Sequence, residues 1–561
     1  MLMILCSWLV IGIAALIFGK AIVDRIWHDD IKTMGKADIY IMTGLIFLNL
    51  YAQFFSLFYK VAGIACTILG VCGCGILISW AIGCIRRKES PVHVRYLKEH
   101  PYRTAALLLC ILATMVWTAQ VAGHYDTGLY HAQAIHWIEE YGVVPGLGNL
   151  HMRLAYNSAF MSLQALFSLQ WLLGQSLHTL NGFLCVFGIG YAVMTIRRHQ
   201  DQSWRTSDLL KCAGVIYIVT ARYNISSSGT DIWALFLAVY VCTKWCEFAE
   251  AEVCSDAPWC FVCLTGIYAL TVKLSAAVIV LLTMYPLYLL IRKRDIRRIA
   301  QNAAAAVLIV LPFLLRNVII SGYLIYPYAG IDLFQVDWKM DRSVLASDSM
   351  DIKMYGRGIT DINEYGTPLS KWLPHWFGRQ EPVNQILIAV GMICAIGLIC
   401  RLWKYICARQ TREIIFIITV LLSLAFWFVT APLMRYGIVY FMIVTAVFTG
   451  EMNKRKRNVN INRIVSAALV LVMIPVCWSY ISKLGTLPEM EPGLWVKQEQ
   501  YPAWPAVERQ VGNVTVWVPE EGDLLGYFAF PGTSARKQLP NLGLRGDGFR
   551  EGFCYMQETE D

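Results

Sequence analysis

The chain has 561 residues, of which 57% are hydrophobic and 16% are charged, and its mean hydropathy is +0.50. This composition excludes an ordinary soluble domain and is typical of a protein that lies mostly in lipid. The net charge of +9 does not indicate a nucleic-acid partner, because the basic residues are concentrated between apolar segments.

Apolar runs recur along almost all of residues 1–482, and many approach the roughly 20 residues that a helix needs to cross a bilayer. The first run lacks the basic start and the cleavage site of a signal peptide, so we predict a retained helix. The pattern predicts an all-α polytopic membrane protein with about fourteen transmembrane helices. These are predicted near residues 2–20, 38–59, 61–85, 104–122, 179–196, 209–222, 230–246, 259–272, 274–291, 301–320, 384–400, 413–431, 436–450 and 464–482.

The basic residues between these runs predict the topology. Clusters occur at 86–88, 197–198, 292–298, 401–412 and 454–457. The positive-inside rule places such clusters in the cytoplasm. If there are about fourteen crossings and both termini lie outside, every cluster lies in the cytoplasm. One miscounted helix would place the later clusters outside.

The first large external loop, 123–178, is predicted to begin with a surface helix. The segment 128–141 is amphipathic, and Asp126 or Thr127 precedes it as a candidate cap. Gly142 is a typical residue for the end of such a helix. Glu139 and Glu140 are expected on its solvated face.

A second surface helix is predicted at 158–173. Residues 155–196 contain no Asp, Glu, Lys or Arg and are long enough for two spans. Two spans would place the basic pair 197–198 outside, so only the later half of the run is predicted to cross.

Three further regions complete the organisation. Residues 1–100 are predicted to be accessory transmembrane helices before a core at 101–482. The external loop 321–383 is long and rich in aromatic residues, which favours an ordered lid over a disordered linker. The tail 483–561 alternates apolar and polar residues around Val511 to Pro519, which predicts a small external domain that contains β-structure.

Ionisable residues stand at the predicted outer ends of several crossings. Each could be a helix cap or an interfacial anchor, and this explanation suits Asp231, which follows a Ser- and Gly-rich segment. It suits Lys273 poorly, because that residue has almost no loop to hold it in water. Together the four cations and two acids predict a site for an anionic, membrane-borne ligand, with phosphate as the obvious group. They are Asp126, Arg222, Asp231, Lys273, Arg316 and Arg435.

A long motif carries a family resemblance. The sequence HYDTGLYHAQAIHWIEEYGVVPGLGNLH at 124–151, followed by RLAYNSAF, resembles a family of bacterial multi-pass proteins associated with surface polysaccharide and, more broadly, the GT-C superfamily of glycosyltransferases. Shorter matches follow at 272–275, 315–327 and 431–435. The chain departs from many GT-C members in having a lone Asp126 instead of an acidic pair.

The resemblance implies a GT-C-like bundle with its active site on the extracytoplasmic face of the bacterial cytoplasmic membrane. It implies a polyprenyl-phosphate-linked sugar as donor and a glycan, lipid or protein as acceptor. The expected activity is an inverting hexosyl- or pentosyltransferase in surface glycan biosynthesis.

The chemistry of that reaction assigns roles to the candidate residues. A base must take the proton of the acceptor hydroxyl, and cations must neutralise the phosphate leaving group. Asp126 is the candidate base, and no metal or cofactor is indicated, although a divalent cation is left open. The candidate phosphate ligands are Lys273, Arg316, Arg435 and Arg222. The candidate substrate ligands are Tyr130, His131, Asn149, His151, Asp231 and Tyr326, and a structural role fits the two histidines equally well.

Two other functions remain open. A polysaccharide polymerase or ligase also takes polyprenyl-linked substrates, but it would depend on external Arg and His more than on a carboxylate in the first loop. A transporter of lipid-linked substrates would show repeated halves and charges near the middle of the membrane. The chain shows charges at one face and no repeat, so this alternative ranks last.

Overall fold

The computed structural model describes residues 1–87, 100–196, 204–453, 488, 490–511, 514–536, 539 and 542–555. The described chain is mostly helical. Its helices of nine or more residues are α1 Leu2–Ile26, α2 Ala37–Ser56, α3 Gly63–Arg87, α4 Pro101–Thr118, α5 Ala132–Glu140, α6 Ala159–Phe167, α7 Leu180–Thr195, α8 Thr206–Thr220, α9 Asp231–Glu250, α10 Ala257–Val272, α11 Met284–Lys293, α12 Ile296–Ser321, α13 Arg342–Arg357, α14 Leu369–Gly378, α15 Pro382–Cys407, α16 Thr411–Thr430 and α17 Met434–Asn453. The 3₁₀ segment Leu274–Thr283 leads directly into α11.

Nine helical segments of the described chain are long and apolar enough to cross a membrane. This confirms the prediction of a mostly helical chain with apolar membrane-spanning candidates. A helix lies at each predicted crossing up to residue 450. The last predicted crossing, 464–482, lies outside the described residues, and the number of crossings stays a prediction.

The first two helices pack with their backbones in contact. A Cβ added to Gly19 would lie 1.7 Å from the carbonyl oxygen of Tyr40, and one added to Gly44 would lie 1.8 Å from that of Ala15. Only glycine permits such an approach, as in small-residue packing between membrane helices. The contact fixes α2, whose last residue, Ser56, reaches one end of the bundle.

The described residues within 121–178, 322–381 and 490–555 gather at that end of the bundle, which we call the loop face. The amide of Val143 donates to the carbonyl of Ser56 (2.9 Å), and the amide of Gly146 donates to that of Ile319 (2.8 Å). The amide of Glu499 donates to the carbonyl of Ala119 (2.9 Å). The loops and the tail are therefore bonded to the helix ends and to one another.

The first loop is helical where predicted, with one difference. A π-helical turn, Thr127–His131, leads into α5, and Gly142 ends this helix with φ +83°. The second helix, α6, is capped by Ser158, but all nine of its residues are buried. The expectation of a surface position was therefore wrong for α6: a helix without charges is more stable when it packs between α2 and α5 than when it lies exposed.

The tail contains two small antiparallel strand pairs, which confirms the prediction of β-structure. Ala506–Val511 pairs with Val514–Pro519, and Leu542–Leu544 pairs with Phe553–Tyr555. Their apolar side chains share a core with the first loop, in which Trp137, Leu150, Val516, Leu542 and Phe553 are buried together. The tail is thus packed onto the loop face.

Candidate functional site

Asp126 begins the helical part of the first loop but does not cap it. Its carboxylate accepts no hydrogen bond from the turn that follows. Instead, Asp126 Oδ2 accepts a hydrogen bond from Arg435 Nη2 at 2.9 Å, across 309 residues of sequence. The backbone N–H of Asp126 donates to His124 Nδ1 at 3.2 Å. The local fold therefore turns the carboxylate toward the bundle.

Four charged side chains form what we call the charge network: Asp126, Asp231, Lys273 and Arg435. Asp231 starts α9, and its Oδ2 lies 3.8 Å from Arg435 Nε. Lys273 lies in extended conformation just after α10, and its ammonium donates to the other oxygen of Asp231. Two acids and two bases from four separate segments thus neutralise one another at the loop face, where such groups would be costly if unpaired.

Tyr436 completes this arrangement and was not among the predicted residues. The Lys273 ammonium lies 3.9 Å from the centre of its ring, and the Arg435 guanidinium lies 4.7 Å from it. The Tyr436 hydroxyl also accepts a hydrogen bond from Arg435. Aromatic faces attract cations, so this ring fixes both basic groups. Its position next to Arg435, after a Pro-containing break between helices, is the only sequence signal for it.

The carboxylate of Asp126 is ionised and accessible. Burial raises the pKa of Asp126, but the electrostatic effect of His131, Arg435 and His124 is larger at the acidic pH where the histidines take up protons, so the pKa lies below its ordinary value of 3.8. The side chain of Asp126 is 18% exposed and that of Arg435 is 38% exposed. An incoming ligand can therefore reach both groups without unfolding the loop.

His131 lies beside the network as a neutral, buried side chain. Its ring is 4.3 Å from that of Tyr130 and 6.4 Å from that of His124. Burial lowers the pKa of His131 to about 3, so its imidazole is uncharged at neutral pH. Within the described part of the chain, His131 Nδ1 has no hydrogen-bond partner. A polar atom of this kind can bind a hydroxyl group.

Arg153 is a further cation near Asp126 that the sequence reasoning missed. It is half-buried. Burial lowers the pKa of Arg153, but the effect of Tyr156, Asp348, Tyr130 and Asp126 is larger and raises it. The residue is the first of the RLAYNSAF segment that follows the long motif, so its place in the sequence was a signal.

Tyr326 binds a buried acid. Its hydroxyl donates to Asp348 Oδ2 at 3.0 Å, and the Tyr156 hydroxyl donates to the same oxygen. Asp348 is fully buried, although it lies in the polar part of the 321–383 loop. Two phenols bind one oxygen of the carboxylate, which ties α13 to the first loop.

Arg316 and Arg222 do not join the charge network. Arg316 is buried, its Nε donates to Asn157 Oδ1 at 2.9 Å, and it also donates to the Ser56 hydroxyl. The Arg222 guanidinium lies 4.2 Å from the Tyr223 ring centre. Amides, hydroxyls and rings thus hold these two cations.

Asn149 and His151 hold the tail. The amide nitrogen of Asn149 donates to the carbonyls of Trp338 (2.9 Å) and Phe553 (3.2 Å). His151 Nε2 lies 2.9 Å from the hydroxyl oxygen of Ser534. These contacts give both residues structural partners.

Glu139 corrects another expectation, because it is buried and not on a solvated face. Its carboxylate accepts hydrogen bonds from Ser176 (2.7 Å) and from the Tyr527 hydroxyl in the tail. Burial raises the pKa of Glu139 to about 7.

The tail forms one border of the site. The amides of Leu525 and Gly526 both donate to the carbonyl of Gly128, at 3.0 and 2.8 Å. The hydroxyl of Tyr125, next to Asp126, donates to Asp523. No local signal in the sequence indicated this contact. In the part of the chain that the structure describes, no group of three His, Cys, Asp or Glu side chains is placed to hold a metal ion.

A family model described as a domain of unknown function (DUF8201) matches residues 1–442, so the chain belongs to that family. No curated protein and no solved structure matches the chain.

Proposed function

We propose that this member of the DUF8201 family is a membrane glycosyltransferase. It transfers a sugar from a polyprenyl-phosphate-linked donor to an extracytoplasmic acceptor in surface glycan biosynthesis, and Asp126 is its general base. One observation carries the proposal: the ionised, accessible carboxylate of Asp126 lies 2.9 Å from Arg435 at the ends of apolar helices. A base and a cation for a leaving phosphate are thus side by side where a lipid-linked substrate would arrive.

The reaction uses both groups. Asp126 takes the proton of the acceptor hydroxyl, and the hydroxyl oxygen forms a bond to the anomeric carbon of the donor. The bond between that carbon and the phosphate oxygen breaks, and the electron pair leaves with the phosphate. Arg435 and Lys273 stabilise the charge that develops there, because preorganised cations act most strongly where charge appears in the transition state.

The charge network also allows donor binding to change the basicity of Asp126. Contact with Arg435 helps to keep the pKa of Asp126 low, which makes the carboxylate a weak base. A donor phosphate competes with Asp126 for the Arg435 guanidinium, which binds phosphate and carboxylate by the same geometry. Once Arg435 turns to the phosphate, the pKa of Asp126 rises and the base becomes stronger.

The remaining candidate residues have supporting roles in this proposal. Tyr130 and His131 lie next to Asp126 and serve as sugar ligands in this proposal, and Arg153 supplements the cations around the donor. The positive-inside rule, applied to about fourteen crossings, places the loop face outside the bacterial cytoplasmic membrane.

The test is Asp126→Asn in purified protein supplied with polyprenyl-phosphate-linked hexoses and pentoses, with release of polyprenyl phosphate as the readout. The amide takes no proton, so we expect a rate loss of roughly 10²–10⁴ with normal folding. Asp341→Asn is the matched control, because Asp341 caps α13 through the amide of Ser343 and Asn caps equally well. Near-normal transfer by the Asp126 variant would exclude the base and favour a polymerase or ligase.

A further inference from the structure

A cavity opens at the loop face beside the charge network. It has a volume of about 140 Å³ and is lined by the end of α13, the end of α14 and residues 432–434. Those three residues directly precede Arg435, which binds Asp126. A cavity of this size has room for several water molecules. It therefore suits one small polar group of a larger ligand.

Two arginines give the cavity its charge. Arg357 and Arg379 both line it, and its described lining contains no acidic residue. The Arg357 guanidinium lies 5.1 Å from the ring centre of Trp372 and makes no hydrogen bond or ion pair within the described ranges. Arg379 Nη1 donates to the carbonyl of Gly358 at 2.6 Å, which leaves its other donors available. In the charge network, by contrast, each cation is already paired with a carboxylate.

The rest of the cavity lining contains groups that are complementary to a sugar. Tyr355 is exposed at the rim, and Gln380 adds an amide. The indole N–H of Trp376 donates to the carbonyl of Pro432 at 2.8 Å, which fixes this side of the cavity to the break before α17. Guanidinium groups that have no carboxylate partner can recognise carboxylate or phosphate by paired hydrogen bonds.

We propose that the Arg357–Arg379 cavity binds an oxyanion, a carboxylate or a phosphate, carried by the substrate of the neighbouring Asp126 site. The inference rests on the proposed function in naming that substrate: an acidic or phosphorylated glycan. The oxyanion fixes the substrate in the cavity while the reacting hydroxyl or anomeric carbon lies at Asp126.

The test measures anion binding without catalysis. Protein in phosphatidylcholine nanodiscs is titrated calorimetrically with glucuronate and with inorganic phosphate. We expect wild type to bind at least one of them at millimolar concentration, and Arg357→Gln/Arg379→Gln to bind at least tenfold more weakly. Lys353→Gln/Lys371→Gln is the matched control, because it removes the same charge from α13 and α14 at residues outside the cavity lining. Arg357→Gln alone guards against misfolding, since Arg357 makes only ring contacts in the described chain.

Each outcome decides the matter. Equal binding by wild type and the arginine variant, or no binding by wild type, overturns the inference. If wild type no longer binds either probe when the nanodiscs contain phosphatidylglycerol, the cavity binds a lipid headgroup and the substrate assignment is overturned. Asp126→Asn should still bind both anions, so inactive Asp126→Asn with wild-type anion binding by the arginine variant is a failure of this inference alone. If Asp126→Asn is active and the arginine variant loses anion binding as expected, the proposed function alone has failed.

Discussion

Asp231 is the residue on which the charge network depends most, because it faces both Lys273 and Arg435. Its side chain is 18% exposed and that of Lys273 is 25% exposed, so neither charge is fully hydrated. Loss of one partner would leave the other charge partly buried and unpaired, which costs more than the pair itself contributes.

A double-mutant cycle tests this dependence. Asp231→Asn and Lys273→Met should each reduce the free energy of unfolding by about 2 kcal/mol, measured by denaturant titration in detergent. The double variant should lose less than the sum, because each single change leaves an unpaired charge that the double change does not. Asp337→Asn, which removes the acid of the exposed pair with Arg545, should cost less than about 1 kcal/mol. Additive losses at Asp231 and Lys273 would show that the two residues are independent.

Sequence alone could identify the ionisable residues at the helix ends but not their partners. Asp126, Asp231, Lys273 and Arg435 meet at the loop face, and Arg316 stands at a helix end with the same kind of apolar neighbours. Yet an amide and a hydroxyl bind Arg316, while carboxylates bind Arg435. The difference lies in contacts between residues hundreds of positions apart, which local composition does not encode.

The helix α5 packs against the tail at the loop face. His136 stacks on Tyr527 with ring centres 4.1 Å apart, and the amide of Gln133 donates to the carbonyls of Gly526 and Ala529. Helices were predictable here because long apolar runs and caps are local signals. The partner of the tail was not predictable, because strand and loop pairing is non-local. Polar residues such as Asn149 therefore suggested ligand binding when they in fact hold the tail.

The buried Glu139 makes this interface sensitive to pH. Burial raises the pKa of Glu139 to about 7, against an ordinary value of 4.5. The folded state therefore keeps a proton that the unfolded state has lost between these values. Stability should fall as pH rises from about 4.5 to 7 and stay low above that, by roughly 1.4 kcal/mol per unit of pKa difference.

Glu139→Gln removes that titration. We expect the melting temperature of wild type to fall between pH 5 and pH 8 by more than that of Glu139→Gln, with the variants compared in the same detergent. Glu140→Gln is the matched control, because Glu140 is half-exposed and lies 3.6 Å from Lys60. An identical pH dependence in wild type and Glu139→Gln would mean that Glu139 does not titrate in this range.

The described long helices reach both ends of the bundle. The N-terminal segment lies at the loop face, where the amide of Met3 donates to the carbonyl of Val496 at 3.0 Å. The helix α17 runs from the loop face to the opposite end, where the Asn453 amide donates to the carbonyl of Trp204. The described residues on either side of 454–487 thus lie at opposite ends, as the predicted crossing at 464–482 requires. A helix of about 20 residues spans about 30 Å, which is the thickness of the hydrocarbon core.

The topology can be tested with reporter fusions. The opposite end carries basic residues, among them Lys293 and Arg298, which pair with Asp256. The positive-inside rule places such an end in the cytoplasm. Green fluorescent protein fused after Lys293 should therefore fluoresce, and alkaline phosphatase fused after Asp561 should be active outside. The reciprocal fusions should both be silent, which controls for expression. Polyprenyl-linked donors meet their acceptors outside in the proposed reaction, so fluorescence from the fusion after Asp561 would place the tail and Asp126 in the cytoplasm and contradict both the topology and the proposed donor.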